Sequence, residues 1–291
     1  VTSTSQSPQS RASEGCELRT LVIPGLVLAA LYYSAFDWMV RAWTLQGSNY
    51  SHGFWVPIVI AYFLWDKRSS LSAVPKRTEP RGLWYIAGAM LLHLAGLILD
   101  VHVLSGLSLF PLFWGLALYY FGPHVLREAF YPSLFMIFMI PLPLIQAVLS
   151  IKLQTLSAIA ASLVLSLMGF PVVREGTMMM MPTFQLFVEA PCSGLNTIFS
   201  LIFVGSVVAY LARGSFWRKA VLLVSAVPIA VLANIFRIVA IGLLGEYYGE
   251  EVAMGVFHNF SGVIMYSIGL ILFLAEAWLL RVKFTSSEGT A

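Results

Sequence analysis

The chain has little charge. Of its 291 residues only 11% are Asp, Glu, Lys or Arg, while 59% are hydrophobic; a soluble domain carries roughly 25% charged residues. So few charges cannot clothe a water-facing surface, and the mean hydropathy is +0.83. Cysteine is nearly absent as well. Cys16 lies in a polar, Ser-rich tail and Cys192 between long apolar runs, and these two are all there are. Two cysteines make no disulfide framework, and no Cys/His cluster has the spacing of a zinc site, so neither a metal nor a cofactor is expected. The net charge of +3 is small and the basic residues are dispersed over short loops, which argues against a nucleic-acid partner.

What the chain has in abundance is apolar runs of membrane-crossing length. A helix needs about 20 apolar residues to cross the hydrocarbon core, and lipid forces the backbone to satisfy its own hydrogen bonds. The expectation is therefore an all-α polytopic membrane protein with about eight transmembrane helices, drawn at 20–37, 53–66, 83–99, 103–121, 130–149, 194–211, 220–244 and 259–280. Residues 1–19 read as an uncleaved N-terminal tail, 20–282 as a single transmembrane catalytic domain and 283–291 as a C-terminal tail. Orientation follows from the basic residues. Lys67, Arg68, Lys76, Arg77, Arg81, Arg127, Arg213, Arg218, Lys219, Arg281, Lys283, Arg11 and Arg19 all fall on one side of this eight-span drawing. Both termini are then expected in the cytoplasm of a multi-pass protein of the cell membrane, with Arg41, Lys152 and Arg174 outside and Arg237 within a span.

Segment 150–170 is ambiguous. Making it a span would move the basic loop 212–219 outside, and it follows Pro141-Leu142-Pro143, which reads as the end of the fifth span. It also carries Lys152, Gln154, Ser157 and Ser162, so it is expected as an amphipathic helix lying in the outer interface or re-entering it. Residues 171–191 form the longest outer loop. Two short extended runs about Pro182-Thr183 suggest a hairpin at the membrane surface.

The unusual polar residues collect at one depth of this drawing. Cys192 opens the sixth span from outside, in the run Glu189-Ala190-Pro191-Cys192-Ser193-Gly194. Pro191 suits the first position of a helix, which would put Cys192 in the first turn, where the dipole favours thiolate. Gly194 leaves room for a substrate backbone. Arg237 sits in the outer half of the seventh span, with Asn234 almost one turn deeper on the same face. A guanidinium within a span is by default functional and has a partner; it can stabilise a thiolate or an oxyanion. His258 stands just before the eighth span and suits proton transfer at neutral pH. His52, in Tyr50-Ser51-His52-Gly53, lies at the same outer edge. Nothing in hydropathy required these groups to meet. A transporter or channel with a structural Cys is the alternative, though few ionisable groups besides Arg237 and Glu276 fall within the spans.

Cys192-Ser193-Gly194, the pair Asn234-x-x-Arg237 and the later His258, in this order on successive spans, resemble the exosortase/archaeosortase family. Tyr50-Ser51-His52-Gly53, Pro141-Leu142-Pro143 and Arg174-Glu175-Gly176 agree, so the resemblance covers roughly 45–270. Two departures stand out: Glu189 lies three rather than two positions before the Cys, and Leu195-Asn196-Thr197 replaces a stretch that often carries an Arg. The resemblance implies a membrane-embedded cysteine protease or transpeptidase acting on exported proteins with a C-terminal sorting signal. Such a signal joins a short motif, a transmembrane helix and a basic end. Cys192, Arg237 and His258 would be catalytic, with Asn234, Glu189, Ser193, Gly194 and His52 supporting them or binding substrate. The expected partners are those exported proteins, membrane lipid and an acceptor. The outer hairpin is expected to hold the substrate by strand addition, with Thr177 or Met179 as donor.

Overall fold

The computed structural model describes residues 25–45, 48–73, 77–188, 193–213, 215–281 and 283–284, and only the backbone at 213, 256–259 and 283–284. Its principal helices are α1 (Tyr33–Thr44), α2 (Trp55–Asp66), α3 (Gly82–Ile98), α4 (Leu109–Phe121), α5 (Pro123–Leu134), α6 (Pro143–Leu167), α7 (Leu195–Leu211), α8 (Phe216–Tyr248) and α9 (His258–Leu279). A sheet of β1 (Val173–Glu175), β2 (Met178–Met180) and β3 (Gln185–Phe187) stands between α6 and α7, and β4 (Ala212–Arg213) pairs with β5 (Lys283–Phe284). Among the described residues, 102–121, 143–167, 216–248 and 260–279 are long and apolar enough to cross a membrane, while α3 and α7 are apolar but shorter. The chain is thus an all-α membrane protein with a small sheet. These four fall short of the eight spans expected.

The chain divides into two compact units, residues 1–41 with 68–134 and residues 42–67 with 135–291. In the first, Tyr32 stacks on His93, His93 Nε2 bonds the Leu31 carbonyl at 3.0 Å, and Tyr32 Oη bonds Ser108 Oγ at 2.8 Å. Helices α3 and α4 cross at Gly82 and Gly115, where an added Cβ at either would meet the other's carbonyl oxygen within 3 Å. Small residues at such crossings let backbones approach when lipid supplies no hydrophobic drive. His93 is a packing residue here.

The second unit is built on α8, which packs against α6, α7 and α9. Ala158, Ala161 and Leu165 of α6, Ile238 and Ile241 of α8, and Met179 and Leu186 of the sheet form one apolar cluster. A second joins Leu201 of α7, Leu222, Ala226 and Ala230 of α8, and Phe273 of α9. The sheet sits at the C-terminal end of α8: the Thr183 N–H donates to Glu246 Oε2 (3.2 Å), its hydroxyl donates to the Glu246 carbonyl (3.1 Å), and Phe184 fills the space that a side chain at Gly245 would take.

Several expectations need correction. The span 130–149 is not one helix. Helix α5 ends at Leu134, a 3₁₀ turn covers Phe135–Met139, and Pro143 opens the next helix. Proline at a first turn costs nothing because its missing N–H would be unpaired there anyway, so Pro141-Leu142-Pro143 starts a helix rather than ending one. Segment 150–170 is accordingly no separate interfacial helix; most of it continues α6, whose 25 residues are long and apolar enough to cross. In the outer loop the hairpin expected about Pro182-Thr183 is present as β2 and β3, and β1 adds a third antiparallel strand in the order β1-β2-β3. Its first turn has Gly176 at φ +62° and no positive φ at Thr177, as a type II′ turn requires. Met179 lies in the central strand, paired with Arg174 on one side and Leu186 on the other, and the Thr177 carbonyl accepts from the Val188 N–H. Neither residue is placed to receive an added strand.

Candidate active site

Helix α8 carries the polar groups that organise this region. Asn234, 4% exposed, donates from Nδ2 to Ser157 Oγ on α6 at 3.1 Å. One turn on, the half-buried Arg237 donates from Nε to Ser261 Oγ on α9 at 2.8 Å. Ser157 and Ser261 are buried, so each hydroxyl meets a donor in place of water. The bond from Nε fixes one edge of the guanidinium. Its two terminal nitrogens lie 4.0 Å from where a Cβ on Gly262 would stand, so the fork passes close over a residue with no side chain.

The segment carrying the nucleophile candidate reaches the same face of α8. Gly194 has φ +76° and precedes α7, whose first N–H, at Leu195, donates to Ser193 Oγ at 3.3 Å. A Cβ at Gly194 would lie 2.8 Å from Asn234 Cβ. Glycine is thus needed twice over, for its conformation and for the approach of the two backbones. Helix α7 starts at Leu195, after the left-handed Gly194, rather than at Pro191 as expected. Glu189, Pro191 and Cys192 themselves lie outside the described residues.

His258 is the first residue of α9, and Ser261, three residues on, shares its face one turn further along. The His258 side chain lies outside the described residues. Gly194, two residues after Cys192, thus meets α8 at Asn234, and Ser261 and Gly262, three and four residues after His258, meet it one turn on at Arg237.

His52 belongs to the same unit. It lies in a 3₁₀ turn, Ser51–Phe54, whose preceding residue Tyr50 accepts the Leu142 N–H at 2.9 Å on its hydroxyl. His52 is 6% exposed, and neither ring nitrogen has a hydrogen-bond partner. Burial pushes its pKa down to about 4; the Phe138 backbone lies near enough to oppose this in part without reaching hydrogen-bond geometry. His52 lines a cavity of about 370 Å³ with Trp55, Asn196 and Ser200 of α7, and Gly262 and Tyr266 of α9, without exposing either ring nitrogen to it. His52 also lines a smaller apolar cavity of about 180 Å³.

Reading the sequence did not single out Ser157, Ser261, Asn196, Ser200 or Tyr266. Ser261 carried a usable signal, standing one helical turn beyond a candidate His. Ser157 carried none until α6 was seen as a continuous helix against α8.

Searches among curated proteins and among solved structures find no match. A family model described as transmembrane exosortase matches residues 38–275. That stretch is most of the chain, and it takes in Tyr50 to Gly53, Cys192 to Gly194, Asn234, Arg237 and His258. With this match over most of the chain and four apolar helices of spanning length, the chain belongs to the transmembrane exosortase family.

Proposed function

We propose that the chain is a membrane-embedded cysteine transpeptidase that cleaves C-terminal sorting signals of exported proteins at the outer membrane face and passes them to an acceptor. The observation that carries this reading is the convergence on Asn234 and Arg237. Gly194, two residues after Cys192, and Ser261 and Gly262, in the turn after His258, pack against α8 within one turn of each other. Membership of the exosortase family supports the same chemistry.

In this reading His258 takes the proton of the Cys192 thiol, the thiolate attacks the scissile carbonyl, and the C=O π electron pair moves to oxygen. The Arg237 guanidinium stabilises that oxyanion. Collapse of the intermediate breaks the C–N bond as His258 delivers a proton to the leaving amine, giving a thioester on Cys192. An acceptor nucleophile then attacks the thioester, His258 takes up its proton, and the thiolate is released. Glu189 is near enough in sequence to hold a charge beside this centre, and Asn234 positions the Gly194 backbone.

Substrate would be presented by the sheet. Pairing of Met181 with Phe184, and of Val188 with Thr177, turns the peptide groups of residues 184, 186 and 188 toward β2. Those of Gln185 and Phe187 therefore face away, on an edge that no other described strand covers. That edge leads along the chain toward Cys192, and an extended peptide can pair with it.

The test is a membrane-anchored reporter that ends in a short motif, a transmembrane helix and basic residues, scored by its change in size. Cys192→Ala and Cys192→Ser should abolish the change while the protein still accumulates, and Cys16→Ala should have no effect. A thiol reagent that does not cross the membrane should label Cys192 in intact cells. Processing by Cys192→Ala at the wild-type rate would refute covalent catalysis.

A further inference from the structure

Two basic stretches far apart in the sequence end side by side in the fold. Arg213, Arg218 and Lys219 lie between α7 and the first turn of α8, and Arg281 and Lys283 follow α9. Helix α9 ends where Arg281 takes a left-handed conformation, φ +51°, and the chain then turns back to lay β5 beside β4. The antiparallel register sets Arg213 directly opposite Lys283. Like charges at opposed positions of a ribbon repel, and a left-handed residue other than glycine is itself unfavourable. A ribbon of two residues a strand has few hydrogen bonds to offset either.

The surroundings bring little negative charge. Within residues 203–230 and 272–284 the one acid is Glu276. The end of α2 packs there through Phe63 on Tyr210 and adds Asp66 together with Lys67, which cancel. Five cations thus stand against one carboxylate where α7 and α9 end and α8 begins. Three tryptophans mark the same end: Trp65, Trp217 and Trp278 are 66%, 74% and 77% exposed. Leu222 of α8 and Ala277 of α9 share one buried cluster, which brings Trp217 and Trp278 to one end of the helix pair. Exposed tryptophan collects at the headgroup level of a bilayer, its ring in the apolar boundary and its N–H in the wet zone. Cations at that level lie among lipid phosphates.

We propose that the β4–β5 ribbon, with Arg213, Lys283, Arg281, Arg218 and Lys219, is a binding site for the phosphate of an anionic phospholipid. A headgroup of net negative charge supplies the counter-charge that the sequence around the opposed Arg213 and Lys283 lacks. A zwitterionic headgroup carries its own cation and does not. The bound lipid fastens the end of α9 to the end of α7 and the start of α8. Asn234 stands about 27 Å further along α8 than Phe216, so the lipid is remote from the candidate active site. It braces the three helices on which that site is built. The inference does not depend on what the enzyme processes.

The experiment follows thermal melting of the full-length protein in a nonionic detergent as dioleoyl phosphatidylglycerol is added to the micelles. Wild type should gain melting temperature saturably, whereas the same mole fraction of dioleoyl phosphatidylcholine, or inorganic phosphate in the buffer, should give little. Arg213→Gln/Lys283→Gln removes the opposed pair. Each cation near a headgroup is worth about fivefold in affinity, so half-saturation should need about 25-fold more phosphatidylglycerol. Without anionic lipid the same variant should melt no lower than wild type, because it relieves a repulsion. A purely structural role would instead cost stability in every micelle. Arg77→Gln/Arg81→Gln removes the same charge at exposed positions of the other unit and should leave the titration unchanged. Equal gains from phosphatidylglycerol and phosphatidylcholine overturn the proposal, as does a full response to inorganic phosphate alone. So does a wild-type titration in Arg213→Gln/Lys283→Gln, its melting below wild type without anionic lipid, or an equal loss in Arg77→Gln/Arg81→Gln.

Discussion

Gly194 offers the sharpest physical test of how the Cys192 segment is held. Replacing it with Ala should cost stability in two ways. At φ +76° an L-residue costs roughly 1–2 kcal/mol relative to glycine. The new Cβ would also stand 2.8 Å from Asn234 Cβ and 2.9 Å from its Cγ, an overlap that relaxes only if α7 and α8 move apart, for about 1–3 kcal/mol more. Gly176→Ala separates the two contributions: its φ is +62°, but nothing lies within 4 Å of the added carbon. Thermal melting in detergent should therefore show Gly194→Ala several degrees below Gly176→Ala. Asn234→Ala should not relieve the overlap, since the offending Cβ remains. Asn234→Gly removes it, at about 1 kcal/mol of helix propensity and the loss of the bond to Ser157. The double variant Gly194→Ala/Asn234→Gly should thus be less damaged than the two single losses added together, a favourable coupling of about 1–3 kcal/mol. Equal melting of Gly194→Ala and Gly176→Ala, or strict additivity in the double variant, would refute the close approach of these helices.

Arg237→Lys keeps the charge but loses the planar fork held at Ser261, and processing should fall on the order of 10²-fold with little change in accumulation; near-full activity would reduce the residue to a point charge. Proline at Gln185 or Phe187 should weaken substrate capture while sparing the sheet, because those N–H groups face away from β2, whereas proline at Leu186 should disrupt the sheet itself. Crosslinkers at Gln185 and Phe187 that never trap the reporter would sink strand addition. Stability should also depend on acid through His52. An unfolded imidazole takes a proton near 6.5, while the folded one does so only near 4, so between these values the unfolded state binds the extra proton. Stability is then full above about pH 6.5, falls as pH drops towards 4, and levels off below. The two values correspond to about 3 kcal/mol, and a His52→Phe protein should show a flatter pH–melting curve over this window.

The residues that marked the candidate site were legible because polar side chains are scarce in an apolar chain. Arg237 inside a long hydrophobic run, and Asn234 three residues before it, could be read as one face of a helix, and the structure puts both on a buried seam. The fold around them was less legible. Pro141-Leu142-Pro143 was ambiguous because proline both ends helices and opens them, and the basic loop 212–219 tipped the reading toward an ending. What decides the matter is packing: Ser157, Ala158 and Ala161 lie buried on α6, a pattern that has meaning only once α8 is known to lie beside them. His52 looked like one more residue at a membrane edge. Its buried, unsatisfied ring depends on neighbours from α7 and α9 more than 140 positions away along the chain.

The length of α8 bears on how an unpaired strand can exist in such a protein. Its 33 residues extend about 50 Å, against roughly 30 Å of hydrocarbon. Even the steepest ordinary tilt, about 40°, leaves close to 38 Å along the bilayer normal. Some of α8 must stand clear of the acyl chains. The sheet is fastened to its last turn, at Gly245 and Glu246. Open backbone edges are intolerable in lipid, where nothing can solvate them. An overlong helix can resolve this by acting as a pylon that holds the β3 edge toward the headgroups, where water can occupy its amides.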